Sequence, residues 1–374
     1  MTPTLIGIDI GGTKTKLGVV RVAASGLMMH RIVLEQEIPT PKESPETFYD
    51  HIAAAVLHLR TSASQPSQTV LPIIAMAHPG RFLPDGRLAR GTTPNLGTAA
   101  GQFDGIDPAA ELSRRLGWRV VAENDAIAQM RYGLDVLLED PAVRPQLLGE
   151  TVVYLGPGTG MGGGVARVNG QGKVTPVTDG HFFDMQIPGY EDGSYTTEEI
   201  MTGPAIAKRV QEENRQLKAA IEPARGGTLD EILQGALAPP EHLAVARRIA
   251  EEQGKLLALT IMAIHAGQIR KVRLERTTDG KVLRHVDEPD RAWPEADRVL
   301  VRGVRRLIFG AFVGSSKGLG KLVRSTALEH LRRQGLVDIE IFQIPATSAD
   351  AGLLGIVQAI PTSDIRKALS DTAP

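Results

Sequence analysis

Short runs of alternating apolar and polar residues, separated by amphipathic stretches, recur along the whole chain and predict an α/β architecture. Leu5–Ile10 and Lys16–Val22 read as strands flanking Gly11-Gly12-Thr13, a hairpin at the start of the chain. Ser44-Pro45 opens a helix, with Ser as N-cap and Pro at the first helical position, where its missing donor costs nothing. Phe48, Ile52, Val56 and Leu59 form that helix's buried stripe. A polar loop at Ala63–Gln68 leads to a strand, Val70–Ala77, then a helix over Pro108–Leu116, a strand at Arg119–Ala122 and a helix from Asp125. Thr151–Leu155 and Gly164–Val168 are strands joined by a glycine-dense turn, and Glu241–His265 is one long helix. Asp279-Gly280 within Val272–Val286 predicts a type I′ hairpin. A strand at Ile339–Ile344 and a helix at Ser348–Ala359 follow. Each half opens with a hairpin whose turn is glycine-rich and carries a threonine, Asp9–Lys14 and Gly156–Gly164. Two related halves facing each other predict a ligand cleft between them.

At 374 residues the chain fits two domains on a prior of roughly 100–200 residues each. The 42 Lys and Arg residues balance 43 Asp and Glu, which removes the broad basic field of a nucleic-acid binder. Cysteine is absent, so disulfides, thiolate zinc sites and a cysteine nucleophile are all excluded, and a reducing cytoplasm is the expected compartment. The longest apolar stretch, around Leu256–Ile264, is shorter than the roughly 20 residues a bilayer requires. The chain enters Leu5–Asp9 with no basic segment before it, so neither a secretory signal nor a membrane partner is expected.

Candidate chemistry concentrates at the glycine turns. Asp9-Ile10-Gly11-Gly12-Thr13-Lys14 places a carboxylate at a strand end before two residues able to take positive φ. Backbone amides of such a turn can point at one anion, with the Thr13 hydroxyl and Lys14 ammonium as further donors. Asp9 alone would repel a phosphate, whereas a Mg²⁺ sharing waters with it would bridge the two. Gly158, Gly160 and Gly163 spell a dinucleotide-binding fingerprint, but Val165-Ala166-Arg167-Val168 reads as a strand where that fingerprint needs a helix. A P-loop fails as well, because Leu322 follows Gly320-Lys321. What remains is a second anion-cradling hairpin. Glu123-Asn124-Asp125, between a strand and a helix, is most simply a helix N-cap; the functional alternative makes Asp125 a proton acceptor and Asn124 a hydroxyl ligand.

Together, Ile6–Val20 (IGIDIGGTKTKLGVV), Pro94-Asn95-Leu96, Ala109–Ala128 (AAELSRRLGWRVVAENDAIA), Leu155–Gly164 and Asp350–Gly355 (DAGLLG) resemble the ROK family of sugar kinases, within the actin–hexokinase–heat-shock ATPase superfamily. The resemblance implies a two-domain actin/hexokinase-like (ribonuclease H-like) fold with an interdomain cleft. One lobe would comprise 1–122 plus 348–374 and the other 123–347. It implies MgATP and a hexose as substrates, transfer to a hydroxyl such as the 6-hydroxyl of a glucose-like sugar, and Asp125 as general base. Asn95, Asn124, Asp125, His181 and Glu198 would bind sugar, with Glu199 one register from Glu198. Asp9, Gly11, Gly12, Thr13, Lys14, Gly158, Thr159 and Gly160 would serve the nucleotide phosphates, Asp9 holding Mg²⁺ through water. Gly310–Gly314 takes the place of the adenosine motif, which puts Gly314 at the nucleotide. Val177-Thr178-Asp179-Gly180-His181 departs from the family's Gly-Glu-x-Gly-His segment, and without cysteine no structural zinc is expected. A homodimer follows from symmetry statistics. A catalytically silent sugar-binding or scaffold protein and a sugar-responsive regulator are the rivals; a hairpin beginning at Leu5 leaves no room ahead of it for the regulators' helix-turn-helix.

Overall fold

A computed structural model describes residues 3–22, 31–63, 69–93, 96–99, 101–178, 182, 185–187, 189–190, 195–218, 220–221, 227–270, 272–276, 282–287, 294–344 and 350–372. In chain order the first elements are β1 (Thr4–Ile10), β2 (Lys14–Arg21), β3 (Arg31–Pro39), α1 (Pro45–Ala63), β4 (Val70–His78), α2 (Pro108–Leu116), β5 (Arg119–Asn124) and α3 (Asp125–Glu139). Next come α4 (Arg144–Leu147), β6 (Thr151–Pro157), β7 (Met161–Val168), β8 (Val174–Thr178), α5 (Thr197–Met201), α6 (Gly203–Asn214), α7 (Gly227–Leu233) and α8 (Pro240–His265). The chain then forms β9 (Val272–Arg276), β10 (Val282–Asp287), α9 (Glu295–Val301), β11 (Arg306–Phe309), α10 (Ala311–Ser315), α11 (Leu319–Arg333) and β12 (Glu340–Gln343). It ends with α12 (Ala351–Val357) and α13 (Thr362–Thr372).

Two compact units result, 1–135 with 349–374 and 136–348. The break falls inside α3, thirteen residues beyond the expected 122, because the start of α3 packs with the first sheet; Asp125 therefore belongs to the first unit. That unit's sheet has the order β3-β2-β1-β4-β5, and the second unit's has β12-β11-β6-β7-β8. In each, three antiparallel strands continue into two parallel ones (β3-β2-β1 into β4-β5, β8-β7-β6 into β11-β12), so the halves share one design.

Strand alternation sorts the first sheet into two faces. Ile6, Ile8 and Ile10 of β1 pack with Phe48, Ile52 and Val56 of α1, whereas Leu5 packs with Leu353, Ile356 and Val357 of α12. Asp9, in phase with Leu5 and Gly7, thus lies on the α12 face. The expected Ser44 cap is present, and Asp107 caps α2 in the same way. Ser44 Oγ accepts from Thr47 N at 3.3 Å, and Asp107 Oδ1 accepts from Ala110 N at 3.0 Å ahead of Pro108. The second unit's core gathers Val153, Leu155 and Phe309 of its sheet with Leu256, Leu257 and Ile261 of α8.

Several element ends differ from the sequence reading. β2 starts at Lys14 rather than Lys16, which tightens the first turn, and β5 continues through Asn124 because it pairs with β4 as far as His78↔Asn124. α12 spans Ala351–Val357, inside the expected Ser348–Ala359. β9 and β10 pair as their own two-stranded sheet, and the Glu275↔Arg284 register is the one a two-residue turn at Asp279-Gly280 calls for; that turn lies outside the described residues. Among the described residues no helix is long and apolar enough to cross a membrane.

Candidate active site

In the first unit, β1, β2, α3 and α12 bring charged side chains together. Asp9 pairs across the hairpin with Lys16, whose Nζ lies 2.9 Å from Asp350 Oδ1 at the start of α12. A Cβ on Gly352 would run into the Asp9 carboxylate, so only glycine lets α12 approach this closely. Gly355 meets the Ala128 carbonyl of α3 in the same way. Burial, then the Asp125 charge, pushes the Asp9 carboxyl up to about 7; Lys16 opposes the rise and Asp350 adds to it. Burial works against the Lys16 charge, but the hydrogen bond and charge of Asp350, with Glu35 and Glu37, raise its pKa overall.

Asp125 is the first residue of α3, where its Oδ1 accepts from Ala126 N at 2.9 Å and from Asn124 Nδ2 at 3.1 Å. Asn124 is buried and fully engaged: Nδ2 also donates to Gly80 O at 2.9 Å, while Oδ1 accepts from Ala126 N and Ile127 N at 3.0 and 3.3 Å. A contact from Asn124 to a sugar hydroxyl must therefore replace one of these bonds, because an amide has two donors and two acceptor sites. Glu123 is held by Arg131 in a two-pronged pair at 2.7 and 2.9 Å.

The first glycine turn owes its shape to close approach. Neither Gly11 nor Gly12 uses the positive φ open to it; instead, a Cβ on Gly11 would come within 2.8 Å of the Lys14 carbonyl that its own N–H binds at 2.9 Å. Thr40 Oγ1 donates to Gly11 O at 2.7 Å, and Lys42 Nζ donates to Gly12 O. Thr13 and Lys14 are exposed, with Lys14 Nζ 2.6 Å from Glu37 Oε1.

In the second unit, β7 follows the β6–β7 turn directly, and no helix begins there. Gly158 N donates to Gly160 O at 2.9 Å and Gly158 O accepts from Gly203 N at 2.8 Å. Glu198 comes to this turn: its Oε2 accepts from Met161 N at 2.5 Å, and a Cβ on Gly160 would lie 3.2 Å from its Oε1. Glu199 instead completes the α5 capping box with Thr196, accepting from Thr196 N at 2.9 Å. Glu198 is thus the glutamate that reaches the β6–β7 turn, and Glu199 is the helix cap. Beside the same turn stands Ala311, its Cβ 3.6 Å from where a Gly158 Cβ would be. Asn95 and His181 lie outside the described residues.

The sequence profile of the ROK family matches residues 5–265, most of the chain. The chain belongs to the ROK family. A ROK hexokinase from Thermus thermophilus is similar at 20% identity and a TM-score of 0.57, over 97% of this chain and 99% of that one. A ROK family glucokinase from Streptomyces griseus, solved with glucose and AMPPNP, is similar at 19% identity and 0.59, over 95% and 98%. A ROK family transcriptional regulator, a homologue of the E. coli MLC protein, reaches 0.64 at 11% identity, over 99% and 82%. No curated protein matches the chain. Identities this low establish the shared fold and nothing finer.

As a ROK protein the chain is unusual in containing no cysteine. The Gly310–Gly314 segment is strained: Ala311 has φ 52°, the one positive-φ non-glycine among the described residues. Gly310 is required next to it, since a Cβ there would lie 2.6 Å from Tyr154 Cε2. Gly314 is required because a Cβ would press on the Phe309 backbone at 2.7 Å. Left-handed backbone costs alanine roughly 1–2 kcal/mol, and glycine's larger unfolded-state entropy offsets part of this. Ala311→Gly is expected to stabilise the protein by about 0.5–1 kcal/mol in urea unfolding; a loss of stability would show that the backbone is relaxed.

Sequence reasoning missed three groups that gather around Asp9 and the first glycine turn. Asp350 lay within the quoted DAGLLG segment, and Lys16 could have been placed opposite Asp9 from hairpin pairing. Lys42 carried no signal, since only the fold brings it to Gly12.

Proposed function

We propose that this ROK protein is a sugar kinase that transfers the γ-phosphoryl group of MgATP to a hexose hydroxyl, in the first instance the 6-hydroxyl of a glucose-like sugar. The observation that carries the reading is Asp125 itself. A carboxylate is held at the start of α3 by Asn124 and by its own helix amide, and it lies close enough to Asp9 for their charges to interact. The Thermus and Streptomyces relatives, a hexokinase and a glucokinase, lend it support.

In this reading Asp125 accepts the hydroxyl proton as the new O–P bond forms, so it needs correct placement more than strong basicity. Asn124 supplies that placement through four hydrogen bonds. Gly11, Gly12, Thr13 and Lys14 are assigned to phosphate binding, with Lys42 beside Gly12. Gly158, Thr159 and Gly160 are likewise assigned to phosphate, and Gly314 to the adenosine. Glu198, Asn95 and His181 contact the sugar. Asp9 fits a magnesium ion: a carboxyl crowded by burial and by Asp125 and Asp350 gains from a divalent cation held through water. Bound there, Mg²⁺ would neutralise phosphate charge. A cytoplasmic homodimer remains the working expectation.

Measured ADP release with a panel of hexoses, with and without Mg²⁺, tests the reading. Release is expected to require both sugar and Mg²⁺. Sugar binding without ADP release for any hexose would make this a catalytically silent sugar-binding protein instead.

A further inference from the structure

We propose that His78, at the end of β4, is a positioning residue that sets the Pro79-Gly80 turn and, through it, the placement of Asn124 and Asp125. The proposal rests on the reading of Asp125 as the base. His78 is completely buried and pairs with Asn124 across the parallel β4–β5 ladder. Its Nδ1 lies 2.6 Å from Pro79 O and its Nε2 lies 3.0 Å from Tyr49 Oη. A proline carbonyl only accepts, so the ring proton must sit on Nδ1; Nε2 then carries the lone pair and accepts from the Tyr49 hydroxyl. Burial holds the imidazole down at about 4 and pushes the Tyr49 hydroxyl well up, so one tautomer serves across the working pH range.

The ring has no room to swing, with Phe48, Tyr49, Phe82 and Phe103 around it at centroid distances of 6.1 to 6.4 Å. The turn it grips is equally constrained. Gly80 has φ 107°, and a Cβ there would lie 2.7 Å from Thr93 Cγ2. Gly80 O then accepts from Asn124 Nδ2, Asn124 Nδ2 also reaches Asp125 Oδ1, and Asn124 Oδ1 caps Ala126 and Ile127. Hydrogen bonds and one short stretch of backbone thus connect Tyr49 to Asp125. An aliphatic residue would fill the same space without burying two nitrogens. What the imidazole adds is direction, an N–H aimed at the Pro79 carbonyl.

Two amide substitutions separate this role from simple packing. His78→Asn puts an amide N–H near the place of Nδ1 and keeps the Pro79 bond while losing Tyr49; His78→Gln reaches Tyr49 and loses Pro79. With saturating sugar and MgATP, His78→Gln is expected to lower kcat about 10–100-fold with little change in KM for MgATP, and His78→Asn less than about threefold. Hydrogen exchange at the Ala126 and Ile127 amides is expected to quicken more in His78→Gln than in His78→Asn, a readout that needs no turnover. Equal losses of kcat that track the melting temperatures, with equal exchange, would overturn the proposal. Wild-type protein inactive on every sugar would remove the base reading alone, leaving the exchange comparison to decide this one. If neither variant folds, nitrogen-15 spectra of the wild-type histidines at neutral pH, with the His78 resonances assigned, decide: the His78 ring must be the Nδ1–H tautomer, and the Nε2–H tautomer refutes the Pro79 bond.

Discussion

Asp125→Asn is expected to lower kcat by about 10²–10⁴-fold, the usual range for removing a general base, while sugar affinity changes little. The substitution is well suited to the question. An asparagine keeps an oxygen that can accept from Ala126 N, so the start of α3 retains its cap and stability should hold. What is lost is the ability to take a proton. Steady-state rates combined with calorimetric sugar binding separate the two effects. Wild-type turnover in the variant would remove Asp125 from the mechanism, and loss of binding together with turnover would recast it as a sugar ligand.

Asp9→Asn is expected to abolish turnover and at the same time stabilise the protein above neutral pH. The Asp9 carboxyl is raised from its ordinary 3.8 to about 7. Below pH 4 it is protonated in the folded and unfolded chain alike, so nothing is lost. Between pH 4 and 7 the unfolded chain releases this proton while the folded one keeps it, and stability falls as pH rises through that window. The penalty levels off above pH 7 at no more than about 4 kcal/mol. His78, lowered from 6.5 to about 4, acts with the opposite sign, weakening the fold as pH drops across a similar range. Comparing Asp9→Asn with wild type cancels the His78 contribution. The difference in melting temperature, measured without Mg²⁺, should be small at pH 4 and widen up to pH 7; a flat difference would mean that Asp9 is not the strained carboxyl. Such a trade of stability for function is common where charges are crowded for chemistry.

The parts of this molecule legible in the sequence are those whose causes are local. The Pro108–Leu116 helix matches its observed bounds because Asp107, Pro108 and Gly117 mark its ends within eleven residues. The dinucleotide-binding reading of Gly158, Gly160 and Gly163 failed on the residues directly after them, and β7 stands there. Glu198 and Glu199 could not be separated by reading alone, because one position of register is invisible until α5 shows which carboxylate caps it and which reaches Met161. Asn124 was expected to offer its amide to a sugar; the carbonyl that occupies it, Gly80 O, is 44 residues away.

By itself, then, the sequence determined the two hairpins, several of the strands and helices such as α1, α2 and α8, the absence of thiol chemistry and the candidacy of Asp125, since each follows from neighbouring residues or from composition, whereas β3, β8, β11 and α11 were not read from it. Only the tertiary structure decided which glycines are obligatory and why: Gly352 and Gly355 are needed for α12 to lie on Asp9 and α3, whereas Gly11 and Gly12 need no left-handed backbone. It also decided the charge around Asp9, because Lys16 and Asp350 meet across 334 positions of chain. Periodicity reports which face of an element is buried. The acidity of a carboxylate and the freedom of an amide depend on what other elements place within a few ångströms, and that is settled only when the sheet and its covering helices pack.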